Sequence, residues 1–322
     1  MIDEQHQPKP EDTPPEVQVA SPVPMTFIER HGISPAAFAM IALGIVFFTY
    51  QIIGGVITVL LFGMNPSPDH VLGFRLVTGI GQLVLILIPT LVLARFCSRE
   101  TGTFLRLNFP DMRTILLPLV GILSLQQMLQ VYMVFQDRIP LPDQLQELAR
   151  QLKDMLEQVT KLLASASTLP ELVWVIVVIA LIPAIAEEFL FRGLVQRNME
   201  KNTTPMRAAV ITGIIFGAYH LNPFSFVPLA SLGMYLGFVA MRARSLWASV
   251  ATHFFNNAYG CIMLYYNMDE DIVGAGTAEK MSSGELLLVF WFFGIIFIIS
   301  TLYFLRITNR LKNPAIVGSS EQ

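Results

Sequence analysis

The sequence predicts an all-α, polytopic membrane protein with about eight transmembrane helices. Three observations support this fold class. Hydrophobic residues make up 53% of the 322-residue chain and charged residues only 14%, whereas soluble domains carry about 25% charged residues. Seven stretches contain no Asp, Glu, Lys or Arg. Most of these stretches reach the roughly 20 apolar residues that a helix needs to cross a bilayer.

The predicted helices follow the uncharged stretches in order. The fifth and sixth are short and are separated by Pro223 and Pro228, so a re-entrant hairpin is an alternative that leaves the sidedness of the others unchanged. The eight helices are predicted near residues 36–62, 71–95, 113–135, 171–198, 206–221, 225–242, 245–267 and 284–306.

Charge distribution predicts the orientation of the chain. The links after the second, fourth and sixth helices and the C-terminal tail are rich in Lys and Arg, which are concentrated in cytoplasmic loops. Both termini are therefore predicted to be cytoplasmic. Residues 1–32 are polar and rich in proline, and this composition predicts a disordered cytoplasmic tail. The net charge of −3 indicates no nucleic-acid partner, and two cysteines are too few for a disulfide scaffold.

An amphipathic helix is predicted near residues 143–165, between the third and fourth spans. Apolar residues recur there at spacings of three and four, which places them on one helix face. We expect this helix to lie on the bilayer surface or to pack on the bundle. The apolar positions are Leu145, Leu148, Leu152, Met155, Val159 and Leu162.

Ionisable residues inside a bilayer are costly and are candidates for function. The fourth predicted span carries two adjacent acids, Glu187 and Glu188, followed by Arg192. Residues four apart share a helix face, so Glu188 and Arg192 are predicted to pair. Adjacent residues point about 100° apart, which leaves Glu187 without a partner on its own helix face.

Two further motifs place polar groups in the same half of the chain. Phe216 and His220 are four apart in the fifth span, and His253 and Asn257 are four apart in the seventh. Depth along each helix allows these groups to meet Glu187 inside the bundle. A carboxylate and an imidazole can activate water directly or through a metal. An imidazole and a carboxamide can donate to a developing oxyanion.

The order of these motifs resembles that of the CPBP family of intramembrane proteases. This family comprises the type II CAAX prenyl endopeptidases and their bacteriocin-processing relatives. The resemblance implies an intramembrane endopeptidase with its active site inside the helical bundle, and it implies these units: the tail 1–32, the N-terminal helices 33–170, the CPBP catalytic core 171–268, and the last transmembrane helix with a cytoplasmic tail 269–322.

The resemblance also implies residue roles. The implied catalytic residues are Glu187, His220, His253 and Asn257. The residues implied to support the site are Glu188, Arg192 and Phe216. Glu187 would activate the water with His220, while His253 and Asn257 would hold the oxyanion.

The cofactor and the partners follow from the same resemblance. Zinc bound by Glu187, His220 and His253 is one interpretation, since zinc takes imidazole and carboxylate ligands, and a metal-free mechanism is the other. The implied partners are a peptide or membrane-protein substrate and the lipid bilayer. The layout favours a bacterial plasma membrane, and the oligomeric state stays open.

Two other functions are compatible with the same residues. One is a non-catalytic membrane scaffold or bacteriocin-immunity factor, which has no need of all four polar groups. The other is a proton-coupled transporter that uses Glu187 and the histidines as a relay. Transporters are often built from repeated halves, and the sequence contains no internal repeat that we detect.

Overall fold

The computed structural model describes residues 25–63, 68–140, 142–266 and 281–312. Within these residues the chain folds into nine main helices and contains no strand. Two single-turn helices, Phe27–Arg30 and Thr101–Phe104, accompany them. In chain order the nine are α1 (Pro35–Phe62), α2 (Val71–Cys97), α3 (Arg113–Asp137), α4 (Asp143–Ala164), α5 (Leu169–Met199), α6 (Pro205–Tyr219), α7 (Phe226–Ala243), α8 (Leu246–Tyr265) and α9 (Ser283–Lys312).

The all-α, polytopic membrane fold is confirmed. Each of the eight predicted helices corresponds to an observed helix, and six of them are long and apolar enough to cross a membrane. These six are α1, α2, α3, α5, α7 and α9. The count of eight spans is not confirmed, because α6 has only 15 residues and α8 carries polar residues along its length.

The amphipathic prediction corresponds to α4, which begins at Asp143 and ends at Ala164. Much of its apolar face is exposed, and its C-terminal end is fixed to the bundle by Arg75. This buried guanidinium donates to the carbonyl oxygen of Leu163 at 2.9 Å and pairs with Glu171 at 2.8 Å. Arg75, an embedded charge, therefore caps the end of α4.

The predicted disordered tail is too long at its C-terminal end. Phe27–Arg30 forms one helical turn that is closed by a capping box between Thr26 and Glu29. Ile28 of this turn is only 2% exposed because it packs into the main core cluster. Residues 1–24 of the predicted tail lie outside the described residues.

The link between α2 and α3 ties together the ends of two helices that carry predicted site residues. Arg106 pairs with Glu200, just beyond the end of α5, at 2.7 Å. Its carbonyl oxygen accepts a hydrogen bond from the backbone N–H of Leu246 at the start of α8. Burial lowers the pKa of Arg106, and the Glu200 carboxylate partly offsets this effect. The link therefore fixes α5 relative to α8.

Helices α6 and α7 cross with their backbones close together. Gly213 and Gly217 of α6 face α7, and a methyl group on Gly217 would lie 2.8 Å from the backbone nitrogen of Ala230. A methyl group on Gly233 of α7 would lie 2.9 Å from the carbonyl oxygen of Gly213. Small residues at such crossings let helix backbones approach closely. This approach fixes α6, which ends next to His220.

Candidate active site

The acids of α5 lie between two π-helical segments, Ile176–Leu181 and Phe189–Val195. Such segments shift the side-chain register of a helix and are frequent at functional sites. Glu188 and Arg192 nevertheless pair as predicted, with 2.7 Å between Oε1 and Nη1, and both side chains are fully buried. Arg192 also donates to the carbonyl oxygen of Gly233 at 2.8 Å, which ties α5 to α7.

Glu188 also contacts α8, which the sequence did not predict. Its Oε1 atom lies 2.9 Å from Nδ1 of His253, and its Oε2 atom accepts a hydrogen bond from the hydroxyl of Ser249. Ser249 precedes His253 by four residues, and this spacing is the one signal that places both on the same helix face. The buried Glu188 carboxylate is therefore shared by one guanidinium, one imidazole and one hydroxyl.

Glu187 lies between the two predicted histidines. Its Oε2 atom is 3.9 Å from Nε2 of His220 and 3.9 Å from Nε2 of His253. The Glu187 side chain is 14% exposed, so it keeps access to the cavity beside it. The structure thus brings together three of the four predicted catalytic residues around a single carboxylate oxygen.

The Nδ1 atom of each histidine lies within hydrogen-bond distance of a protein oxygen. Nδ1 of His220 lies 2.7 Å from the carbonyl oxygen of Phe216, and Nδ1 of His253 faces Glu188. Both partners are acceptors, so a proton on Nδ1 satisfies each contact and leaves Nε2 as the ring atom on the side of Glu187. Both Nε2 atoms lie 3.9 Å from the same Glu187 oxygen, and this spacing leaves room for a water that bridges Glu187 and a histidine.

His220 lies just beyond the last residue of α6, where the helix was predicted to continue to residue 221. The next residue, Leu221, has a left-handed φ of 53°, which is uncommon for a large side chain. Its side chain is 63% exposed. The chain therefore turns immediately after His220, which is the C-cap residue of α6.

Asn257 and its neighbour Asn256 line the same cavity. Nδ2 of Asn256 donates to Oδ1 of Asn257 at 3.3 Å, so the Asn257 oxygen accepts one hydrogen bond. The buried Oδ1 of Asn256 has no partner. Asn256 therefore adds a second carboxamide to the cavity wall.

Phe216 holds several of these groups in place. Its ring centroid lies 4.6 Å from that of His220 and 5.9 Å from that of His253. The guanidinium carbon of Arg192 lies 4.7 Å from the same ring centroid, within the range of a cation–π contact. The predicted supporting residues Glu188, Arg192 and Phe216 thus form one connected layer behind the histidines.

A cavity of about 360 Å³ opens beside Glu187. Helices α5 to α8 provide the predicted residues, but α1 and α2 complete the wall with side chains that the sequence analysis did not identify. In the sequence these side chains stand out only as amides and hydroxyls inside otherwise apolar spans. The four residues are Tyr50, Gln51, Thr78 and Gln82.

The distances among the candidate ligands bear on the zinc interpretation. Ligand atoms around a tetrahedral zinc ion lie about 3.4 Å apart, given zinc–ligand bonds near 2.1 Å. The separations of 3.9 Å from Glu187 to each histidine are wider. Among the described residues, no group of three or more His, Cys, Asp or Glu side chains is arranged to hold a metal ion. As arranged, these residues do not fit a shared zinc ion.

Comparison with known proteins adds to this geometry. Residues 169–259 match the model of the type II CAAX prenyl endopeptidase Rce1-like family. The matched segment contains the motifs on α5, α6 and α8, so the resemblance predicted from those motifs is confirmed for this part of the chain.

A more distant likeness comes from Bacillus subtilis (strain 168). The protein described there as "Putative membrane peptidase YdiL" is 25% identical over 113 residues. The aligned region covers 35% of this chain and 46% of that protein, so the chain spans about half the length of this curated relative. No solved structure gives a significant match to the chain.

Proposed function

We propose that the protein is an intramembrane endopeptidase that hydrolyses peptide bonds with a water molecule activated by Glu187 and His220. The observation that supports this most is the convergence of Glu187 Oε2 and the two histidine Nε2 atoms beside the cavity. Two acceptors 3.9 Å apart can each accept one hydrogen of a single water at about 2.8 Å. Such a water is held with its oxygen lone pairs free to attack.

In the proposed reaction, the water oxygen forms a bond to the peptide carbonyl carbon while Glu187 takes one water proton. The electrons of the carbonyl double bond move onto its oxygen, giving a tetrahedral oxyanion. The carbon–nitrogen bond then breaks, the carbonyl re-forms, and the proton passes to the departing nitrogen. General-base assistance of this kind contributes about 10²–10⁴-fold in rate.

The oxyanion is proposed to lie near His253 and Asn257. Asn257 lines the cavity, and its side-chain N–H groups can donate to the oxyanion. His253 can donate from Nε2 only when its ring is protonated, because Nδ1 faces Glu188. Glu188 Oε1 holds Nδ1 of His253 at 2.9 Å, so the proposed role of Glu188 is to position His253.

Hydrolysis of a pool of short, internally quenched peptides by the purified protein in liposomes tests this proposal. We expect wild type to cleave at least one peptide and Glu187→Gln to lose about 10²–10⁴-fold in kcat, because an amide cannot accept a proton from water. The matched control is Glu147→Gln, since Glu147 is exposed on α4, and its activity should equal that of wild type. Activity of Glu187→Gln within about twofold of wild type would contradict Glu187 as the base.

Metal content measured on the same active samples separates the two interpretations of the histidines. The metal-free mechanism predicts substoichiometric zinc in wild type and activity that survives a chelator able to reach the site. His253→Ala should then lose about 10²–10³-fold in rate through one oxyanion donor, with unchanged metal content. Stoichiometric zinc that is lost together with activity in His253→Ala would instead support zinc bound by Glu187, His220 and His253.

A further inference from the structure

The cavity beside Glu187 is completed by helices outside the family-matched segment. Residues 169–259 match the family, whereas α1 and α2 precede this segment and contribute four polar side chains to the cavity wall. These four side chains differ in how many of their hydrogen-bonding groups have a partner within the protein. The four residues are Tyr50, Gln51, Thr78 and Gln82.

Two of the four use their donors to fix the helices. The hydroxyl of Thr78 donates to the carbonyl oxygen of Phe74, one turn earlier, at 2.9 Å. Nε2 of Gln51 donates to the carbonyl oxygen of Tyr219 at 2.9 Å, which ties α1 to the end of α6. These contacts account for Thr78 and Gln51 as structural residues.

The other two, Tyr50 and Gln82, have hydrogen-bonding groups to spare. Nε2 of Gln82 donates to the hydroxyl oxygen of Tyr50 at 3.3 Å, and the Tyr50 hydroxyl hydrogen remains available to an acceptor. The Gln82 side chain is only 7% exposed, and its buried Oε1 has no partner. If the Gln82 amide were rotated by 180°, Oε1 would contact Tyr50 and Nε2 would be left without a partner instead. A buried, unpaired polar group is unfavourable, and a ligand in the cavity that Gln82 lines can supply the missing partner.

The pair lies close to the proposed reacting centre. Tyr50, Gln82 and Tyr219 line the same cavity as Glu187. The Tyr219 hydroxyl is also buried without a partner. A ligand that reaches Glu187 through the cavity therefore passes next to a donor and an acceptor that the protein does not satisfy.

We propose that Tyr50 and Gln82 form a subsite that binds the main chain of the substrate next to the scissile bond. Gln82 Oε1 accepts a backbone N–H of the substrate, and the Tyr50 hydroxyl donates to a backbone carbonyl oxygen. The assignment of the bound segment as a substrate rests on the proposed endopeptidase function. Each peptide unit carries one such donor and one such acceptor, which complement this pair.

This subsite selects for substrate conformation. The inner N–H and C=O groups of an intact helix are paired within the helix, whereas those of an extended segment are free. Contacts with the main chain alone recognise no particular side chain. The substrate class is therefore a segment that is already extended or that unwinds where it enters the cavity, with little demand on residue type at the contacted unit.

Two substitutions remove the contacts while keeping side-chain shape: Tyr50→Phe and Gln82→Met. Each should raise KM for a cleaved peptide about 5- to 30-fold, since a buried partner is left unpaired, with kcat within about twofold of wild type. An interaction that is equally strong in the ground state and the transition state changes KM in this way. Thr58→Val is the matched control, because the Thr58 hydroxyl donates within α1 to the carbonyl oxygen of Gly54 and Thr58 is not among the residues that line the cavity, and it should leave KM unchanged.

A change in the peptide tests the same contact without altering the fold. Replacing single backbone N–H groups of the peptide by ester oxygens should weaken cleavage by wild type strongly at one position. At that position the ester should have little effect on Gln82→Met. Equal ester effects in wild type and Gln82→Met at every position would overturn the subsite and would indicate that water alone satisfies Gln82.

Binding measurements keep this proposal separate from the endopeptidase proposal. Fluorescence anisotropy of the labelled peptide pool with Glu187→Gln reports binding without hydrolysis. Binding that is weakened by Tyr50→Phe and Gln82→Met, with no cleavage by wild type, would support the subsite and contradict the endopeptidase. Cleavage by wild type with KM unchanged in both variants would support the endopeptidase and overturn the subsite.

Discussion

At the scale of single residues, Glu188 links the structural and chemical parts of the site. It contacts Arg192 within its own helix and His253 on α8. The first contact could be predicted because residues four apart share a helix face. The second joins residues 65 positions apart, and no local rule brings them together. The roles of the two adjacent acids could therefore be distinguished from the sequence only in part.

Removing either partner of the buried pair should destabilise the protein strongly. Glu188→Ala and Arg192→Ala each leave one charge unpaired, at a cost of about 3–5 kcal/mol, whereas the double variant leaves neither. We expect the double variant to lose less stability than the sum of the singles in thermal unfolding in detergent. Ser249→Ala, which removes only a hydroxyl contact to Glu188, should cost less than either. Additive losses of the two single variants would show that the pair is not coupled.

At the scale of helices, most element positions follow from hydrophobic stretches, but their internal geometry does not. The stretch 171–198 was predicted as one helix and is observed as Leu169–Met199. Its two π-helical segments were not predicted, because a shift from i+4 to i+5 hydrogen bonding changes no composition. Their placement depends on packing against α8 and α2, which a single sequence does not reveal. The positions of Tyr50 and Gln82 in the cavity wall depend on the same packing.

The crossing of α6 and α7 should depend on the absence of a side chain at Gly213. A methyl group there would collide with the backbone of Met234, and backbone atoms cannot move aside cheaply. Gly213→Ala should therefore lower the thermal stability in detergent and reduce activity, because α6 positions His220. Gly260→Ala is the control, since a methyl group at Gly260 would have nothing within 4 Å. Its stability should be unchanged or slightly raised, as alanine favours helix over glycine. Equal behaviour of the two variants would contradict the close crossing.

At the scale of the whole molecule, the open question is whether α6 and α8 cross the membrane. With eight spans, or with α6 and α7 as a re-entrant hairpin, the link between α7 and α8 is cytoplasmic. With six spans, in which α6 and α8 do not cross, that link lies on the opposite side. The links before α3 and before α9 keep the same side in every arrangement, so they can serve as references.

Labelling of single cysteines in sealed vesicles distinguishes these arrangements. Gly102→Cys should be reachable from the cytoplasmic side and Gly284→Cys from the other, because both residues are exposed and the Lys and Arg distribution predicts these sides. Arg244, in the link between α7 and α8, is exposed and has a left-handed φ of 52°. This backbone conformation is no less favourable for cysteine than for arginine, so Arg244→Cys should keep the local structure. The native Cys97 and Cys261 are buried and should react little. Eight spans require Arg244→Cys to label with Gly102→Cys, and labelling with Gly284→Cys would instead mean that α6 and α8 do not cross.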